Sequence, residues 1–417
     1  MNIQELLKGV DCNCGKKHAC AIEYCYIEED ACKRLTALCK EYNKILIVAD
    51  ENTFKAGGES VISAIEKPYD KVIFSGKTVL VPNEEAIDKV EEKLSDSDLI
   101  IGIGSGVIQD LCKYVSSDKK VPYFIVATAP SMDGYASSGA AMILGGMKVT
   151  VSAGVPKAII ADVNVLANAP QEMIKAGYGD IVGKYSSLND WKLSKVVFGE
   201  YFCQYIYDLV KETLENTLKL SSGLLKEDKE SVKALMEALV IVGIALSFVG
   251  NSRPASGSEH HLSHFFEITG LVFNEQYFCH GLDVAYSTVI TAKIREEILD
   301  KPFSKTQFVE SDTALMENLQ KVYGKVAKGC FELQEKLGTY KQDRISVYLK
   351  KEKEIREVLK EMPSAKQIEK LLNAVEIDMK DFYALYGEQK INDAIRYAKD
   401  LKDRYTVLWL NYDMTNA

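Results

Sequence analysis

The first third of the chain alternates short apolar runs with amphipathic stretches. "ILIVAD" (Ile45–Asp50), "KVIFSG" (Lys71–Gly76), "LIIGIG" (Leu99–Gly104) and "YFIVAT" (Tyr123–Thr128) place apolar residues on both faces of an extended chain. Strands of that kind are buried on both sides, as in a parallel sheet covered by helices. Between them lie segments such as "NEEAIDKVEEKL", whose apolar positions recur at helical spacing. "AAMILGGMKVTVSAGVPKAIIADVNVL" then predicts a β-hairpin and one further strand, closing this unit near Leu166.

After "NAPQEM" the pattern changes, and long segments of period 3.6 replace the β-branched runs. "SSGLLKEDKESVKALMEALVIVGIALSFVG" predicts an amphipathic helix running into a fully buried one. The expected fold is an α/β domain with a Rossmann-like parallel sheet, followed by an all-α domain. Residues 1–168 form the expected dinucleotide-binding domain, and residues 169–417 the expected metal- and substrate-binding domain.

Composition narrows the functional classes. A chain of 417 residues with 47% hydrophobic and 27% charged residues can bury two ordinary globular cores. The net charge of -9 argues against nucleic acid as the partner, while leaving room for a local basic pocket that takes a small anion. The apolar run Ala238–Gly250 is too short to span a bilayer. "MNIQELLKGV" lacks the cationic start and apolar core of a signal peptide, so a cytoplasmic protein with its ten cysteines reduced is expected.

Three stretches carry candidate chemistry. In "LIIGIGSGVIQDLCKY" a strand ends in Gly102, Gly104, Ser105 and Gly106 before a helix. Such a turn lets backbone N–H groups approach a pyrophosphate at a helix N-terminus, although a plain tight turn needs the same glycines. Asp50 ends the first strand, where an acid meets the ribose in dinucleotide sites and disfavours a 2′-phosphate. "VATAPSMDGYASSG" places Thr128, Ser131, Asp133 and Ser137 after the fourth strand.

The second stretch is a histidine cluster. Of the five histidines, four lie in "GSEHHLSHFFEITGLVFNEQYFCHG". His260 and His264 fall one helical turn apart on a shared face, His261 points elsewhere, and His280 follows a connection. A catalytic metal takes three protein ligands and keeps a position open. Asp180, in "AGYGDIVGKYSSLNDW", is the carboxylate that completes the set. Lys184 and Arg253 neighbour these motifs and are candidates for holding a substrate phosphate, with a structural ion pair as the alternative for each.

Taken together, "GSGVIQD", "TAPSMDGYASSGA", "GYGDIVGKYSSLNDW" and "SRPASGSEHHLSH" resemble the bacterial branch of the sn-glycerol-1-phosphate dehydrogenases. These belong to the iron-containing alcohol dehydrogenase and 3-dehydroquinate synthase superfamily. The resemblance runs from about Ile45 to "DRYTVLWL" and implies a dehydroquinate synthase-like fold. It implies that Asp180, His260 and His280 bind a divalent metal, zinc or nickel with iron as a third option. Asp133 and His264 would contact substrate together with Asp180, making Asp180, His260, His264 and His280 the catalytic set. Asp50, Gly104, Ser105, Gly106, Val107, Ile108, Gln109, Asp110, Thr128, Ala129, Pro130, Ser131 and Ser137 would contact NAD(H) or NADP(H). The implied reaction is reversible reduction of dihydroxyacetone phosphate to sn-glycerol 1-phosphate by a homodimer. A lyase of the 3-dehydroquinate synthase type and a glycerol dehydrogenase stand as alternatives within the superfamily.

The third stretch is the leader "VDCNCGKKHAC", with Cys12, Cys14, His18 and Cys20. Soft sulfur and imidazole suit zinc, and a zinc-binding interaction protein is the non-enzymatic alternative. In an extended strand Cys12 and Cys14 would share a face. The leader has no spacing link to the histidine cluster and is not part of the shared catalytic pattern.

Overall fold

The structure is a computed structural model and describes residues 2–145, 147–303, 305–306 and 310–415. By internal contacts the chain divides into two compact units. The first comprises Met1–Ile181 with Glu215–Ser252, the second Val182–Leu214 with Arg253–Ala417. The expected boundary at residue 168 follows the change in sequence texture, whereas the compact units cross it. The helix Lys229–Val249 packs within the first unit, against the turn Asp133–Ala136.

The first unit is built on six parallel strands. They are β1 (Tyr24–Glu28), β2 (Ile45–Asp50), β3 (Tyr69–Phe74), β4 (Leu99–Gly104), β5 (Tyr123–Ala127) and, after a hairpin, β8 (Ala158–Asp162). Their order is β1-β8-β5-β4-β2-β3. Ile45, Ile47, Leu99, Ile101, Phe124, Val126, Ala158 and Ile160 lie in one buried cluster on this sheet. The hairpin pairs β6 (Gly139–Leu144) with β7 (Met147–Ser152) antiparallel; Gly146 lies outside the described residues.

Two details differ from the sequence pattern. β1 was not foreseen: it is an edge strand with Tyr24 exposed, so it lacks the two-sided apolar run of the central strands. The expected continuous helix from Ser221 breaks at Glu227 (φ 55°), after which Asp228 caps Lys229–Val249 by accepting the Ser231 N–H. By length and composition that last helix could cross a membrane, but 78% of its apolar window is buried inside the fold. It is a core helix.

The second unit is helical among its described residues, with Lys184–Phe198, Ser258–Phe273, His280–Leu299 and Met379–Tyr397 as its longest elements. Phe266 stacks on Tyr386 at 4.0 Å, and Phe382 meets Phe266 edge-on at 5.3 Å. The Tyr386 hydroxyl donates to Asp283, tying Met379–Tyr397 to the helix that begins at His280.

Candidate active site

The carboxyl ends of β2, β4 and β5 share one edge. The pairings Ala49 with Ile103 and Gly104 with Ala127 set Asp50, Gly104 and Thr128 side by side there. From β2 the chain crosses outward to β3, and from β4 it crosses the other way to β5. This divergence is the switch point at which open α/β sheets bind ligands.

Asp50 caps the helix Glu51–Ala64. Its Oδ1 accepts the N–H groups of Asn52 (2.8 Å) and Thr53 (2.9 Å). Gly104 is a packing requirement: a Cβ there would stand 2.6 Å from the Ile108 side chain. Its absence lets the helix Gly106–Lys119 begin directly at the strand end. The Ser105 side chain does not cap that helix, and an uncapped helix start suits an anion.

The same helix organises the next loop from behind. Gln109 Nε2 donates to the Tyr123 hydroxyl and to Tyr135 O, each at 3.1 Å. Buried Lys113 lies 3.4 Å from Asp110 and donates to Gly134 O (3.2 Å) and Gly139 O (2.8 Å). Burial pushes the Asp110 carboxyl up and the Lys113 ammonium down. Gln109 and Asp110 were expected to touch cofactor; in the structure the Gln109 side chain braces this loop and Asp110 lies beside Lys113.

Within that loop, Thr128 N–H donates to Gly104 O (3.2 Å), the Tyr135 hydroxyl to Ala129 O (2.8 Å), and Ser137 Oγ to Gly134 O (3.0 Å). Ser131 is buried. The helix Gln171–Val182 presses on Pro130, whose carbonyl oxygen would meet a Cβ at Gly177 at only 1.8 Å. That close approach brings Asp180 to the loop, where its Oδ2 accepts the Asp133 N–H at 2.9 Å.

In the second unit the three candidate histidine rings gather. His260 lies 5.1 Å from His280 and 6.3 Å from His264, and His264 lies 5.6 Å from His280, centroid to centroid. His260 Nδ1 sits 2.7 Å from Oε1 of fully buried Glu259. That oxygen already accepts the Gly257 N–H at 2.8 Å, so Nδ1 is the donor and Nε2 keeps its lone pair for a metal. Burial raises the Glu259 carboxyl. Ser263 Oγ lies 3.4 Å from His280 Nδ1. His261 is fully buried and apart from this face, and burial pushes its pKa well below the usual imidazole range. One ligand atom from each of His260 and His280 lies within 4.8 Å of the other.

The two candidate phosphate cations have partners in their own unit. Arg253 Nε donates to Glu200 Oε1 at 2.7 Å and its Nη2 to Ser194 Oγ at 3.1 Å. Lys184 Nζ is buried and donates to Ala255 O at 3.1 Å. For Arg253 this geometry favours the ion-pair alternative.

Sequence reasoning missed the residues that hold the site in place. Glu259 stands beside His260 in "SEHH", and the signal was there: a carboxylate next to a candidate ligand. Asp190 accepts the Ser258 N–H at 2.6 Å, fixing the start of the histidine helix, and pairs with Arg295 at 2.8 Å. Nothing in local spacing joins residues 190, 258 and 295.

Residues 26–170 match the family model described as iron-containing alcohol dehydrogenase. Among solved structures, a probable glycerol dehydrogenase from Sinorhizobium meliloti 1021 is 15% identical, with a TM-score of 0.61 over 95% of this chain and 94% of that one. Sulfoacetaldehyde reductase from Bifidobacterium kashiwanohense in complex with NAD+ is 12% identical, with a TM-score of 0.62 over 95% and 97%. The fold is therefore that of the iron-containing alcohol dehydrogenase class.

Sequence relatives narrow this further. Glycerol-1-phosphate dehydrogenase [NAD(P)+] of Geobacillus thermodenitrificans is 30% identical over 98% of this chain and 96% of that protein. Its counterpart in Bacillus licheniformis is 33% identical over 69% of this chain and 74% of that protein. The chain belongs to the glycerol-1-phosphate dehydrogenase [NAD(P)+] family and is an oxidoreductase.

Proposed function

We propose that the chain catalyses the reversible, NAD(P)H-linked reduction of dihydroxyacetone phosphate to sn-glycerol 1-phosphate at a divalent metal. The observation that carries the reading is the cluster of His260, His264 and His280, with Glu259 holding His260 in the ligand tautomer. In this reading Asp180, His260 and His280 hold the metal. Zinc or nickel is the expected ion, with iron third, since carboxylate and imidazole donors accept all three. When bound, the metal supplies a Lewis acid for the ketone and the nicotinamide supplies the hydride.

The chain's own residues do the positioning. The Asp133 N–H fixes one oxygen of Asp180. His264, one turn from His260, orients a substrate hydroxyl or relays its proton, and Asp133 contacts the substrate. The cofactor lies along the switch-point edge, with Asp50 at the ribose and the backbone of Gly104–Ile108 and Thr128–Ser131 at its phosphates and nicotinamide, alongside Ser137. An acid at the ribose, as Asp50 would be, disfavours a 2′-phosphate. Lys184 stays a candidate for the substrate phosphate, and Arg253 is better read as a structural partner of Glu200.

Residues 1–168 then carry the cofactor and residues 169–417 the metal and substrate, in a cytoplasmic homodimer. The test is stoichiometric. Dihydroxyacetone phosphate should consume NADH one for one and yield sn-glycerol 1-phosphate. Turnover of 3-deoxy-arabino-heptulosonate 7-phosphate with no net NADH loss, or equal use of unphosphorylated glycerol, would refute the assignment.

A further inference from the structure

The leader holds a second set of metal-binding side chains. Val10 and His18 form an antiparallel bridge, with Val10 N–H donating to His18 O at 2.8 Å and His18 N–H to Val10 O at 3.3 Å. The segment between them is a turn, not a strand, and Gly15 takes the left-handed conformation it requires (φ 85°). The bridge closes the loop so that Cys14 Sγ lies 3.3 Å from His18 Nε2. Two ligands on one tetrahedral zinc, with Zn–S of about 2.3 Å and Zn–N of about 2.0 Å, stand roughly 3.6 Å apart.

The imidazole is held for this role. His18 is fully buried, stacks on Phe248 at 5.5 Å, and its Nδ1 lies 3.2 Å from Phe248 O. A carbonyl only accepts, so Nδ1 carries the proton and Nε2 keeps its lone pair. Cys12 completes the local group. One ligand atom from each of Cys12, Cys14 and His18 lies within 4.8 Å of the others.

We propose that the leader loop binds one zinc ion through Cys12, Cys14 and His18. Two thiols and one imidazole are the donor types of structural zinc sites, and all three come from a single loop of the first unit. On binding, each thiol releases its proton to solvent as its sulfur becomes a zinc ligand, and no bond to carbon changes. Exposed Lys16 and Lys17 in the same loop offset the resulting negative charge.

The test uses the full chain purified without chelator, with zinc as the probe. An Asp180→Ala/His260→Ala variant, which removes the proposed catalytic ligands, should retain one zinc per chain by elemental analysis. Adding Cys12→Ser and Cys14→Ser should abolish that zinc. Zinc exchanged for Co(II) in the wild-type chain should give the intense thiolate-to-cobalt absorption of a tetrahedral site, a readout that does not depend on variants folding. A chain with no zinc and a Cys12–Cys14 disulfide, or zinc retained after Cys12→Ser and Cys14→Ser are added, would overturn the proposal.

Discussion

The leader thiols and the histidine cluster both offer metal ligands, and they are assembled in opposite ways. Cys12, Cys14 and His18 come from one short turn closed by a backbone bridge. Asp180, His260 and His280 come from three helices, with His260 and His280 separated by most of the Ser258–Phe273 helix and a connection. The leader gathers two thiols beside one imidazole, whereas the helices of the second unit gather imidazoles alone. Ligand density along the sequence is therefore a poor guide to where chemistry happens. The number and kind of donors, and what holds each one's second nitrogen or oxygen, are better guides.

The sharpest way to break this contrast is His260→Ala. It should cost roughly a thousandfold in turnover, about 4 kcal/mol of lost transition-state stabilisation, while leaving one leader zinc in place. Full activity with unchanged metal content would show that the two sets have been assigned the wrong way round. Glu259→Gln acts at one remove. It removes the acceptor that fixes the His260 tautomer, and metal affinity should fall about 10–100-fold by competition with a chelator. Activity at saturating metal should recover much of the loss, which a merely destabilised protein would not do.

Arg253→Ala asks whether a cation near the histidines belongs to substrate or to scaffold. Its pairing with Glu200 predicts a stability loss of about 2 kcal/mol in denaturant unfolding, with KM for dihydroxyacetone phosphate unchanged. A large rise in KM at unchanged stability would return Arg253 to the phosphate. His261 separates ligand from packing within a single histidine pair. Burial depresses its folded pKa, so below about pH 6.5 the unfolded chain takes up a proton that the folded chain refuses. Stability should be fully present above that pH and fall by about 1.4 kcal/mol per unit below it. His261→Leu should flatten this part of the profile; an unchanged slope would assign the acid sensitivity to other groups.

Much of the first unit was legible because its signals are local. Ile45–Asp50 and Leu99–Gly104 were found to the residue, since strands buried on both faces write themselves as continuous apolar runs. β1 was not found, because an edge strand with an exposed Tyr24 writes only half of that signal. Asp50 and the Gly104–Gly106 turn were readable as strand ends. That Gly104 serves helix packing, and that Gln109 braces Tyr135, depends on which neighbour the fold brings up.

The histidines stood out by rarity and by one helical spacing. Their support did not: Asp190, Ser258 and Arg295 meet only through tertiary packing, so no window along the chain contains the network. The leader shows the converse. Its spacing was conspicuous, yet the bridge from Val10 to His18 that sets Cys14 beside the imidazole appears only in three dimensions.

In the proposed mechanism Asp180, His260 and His280, and not the leader thiols, hold the working metal. The direct measurement is oxidation of NADH by dihydroxyacetone phosphate, before and after removal of metal from the folded wild-type chain. Stripping should abolish the reaction, and Ni(II) or Zn(II) should restore it in wild type and in the Cys12→Ser/Cys14→Ser variant, but not in His260→Ala. Undiminished activity in the stripped chain, or restoration that requires the leader cysteines while His260→Ala responds normally, would contradict it.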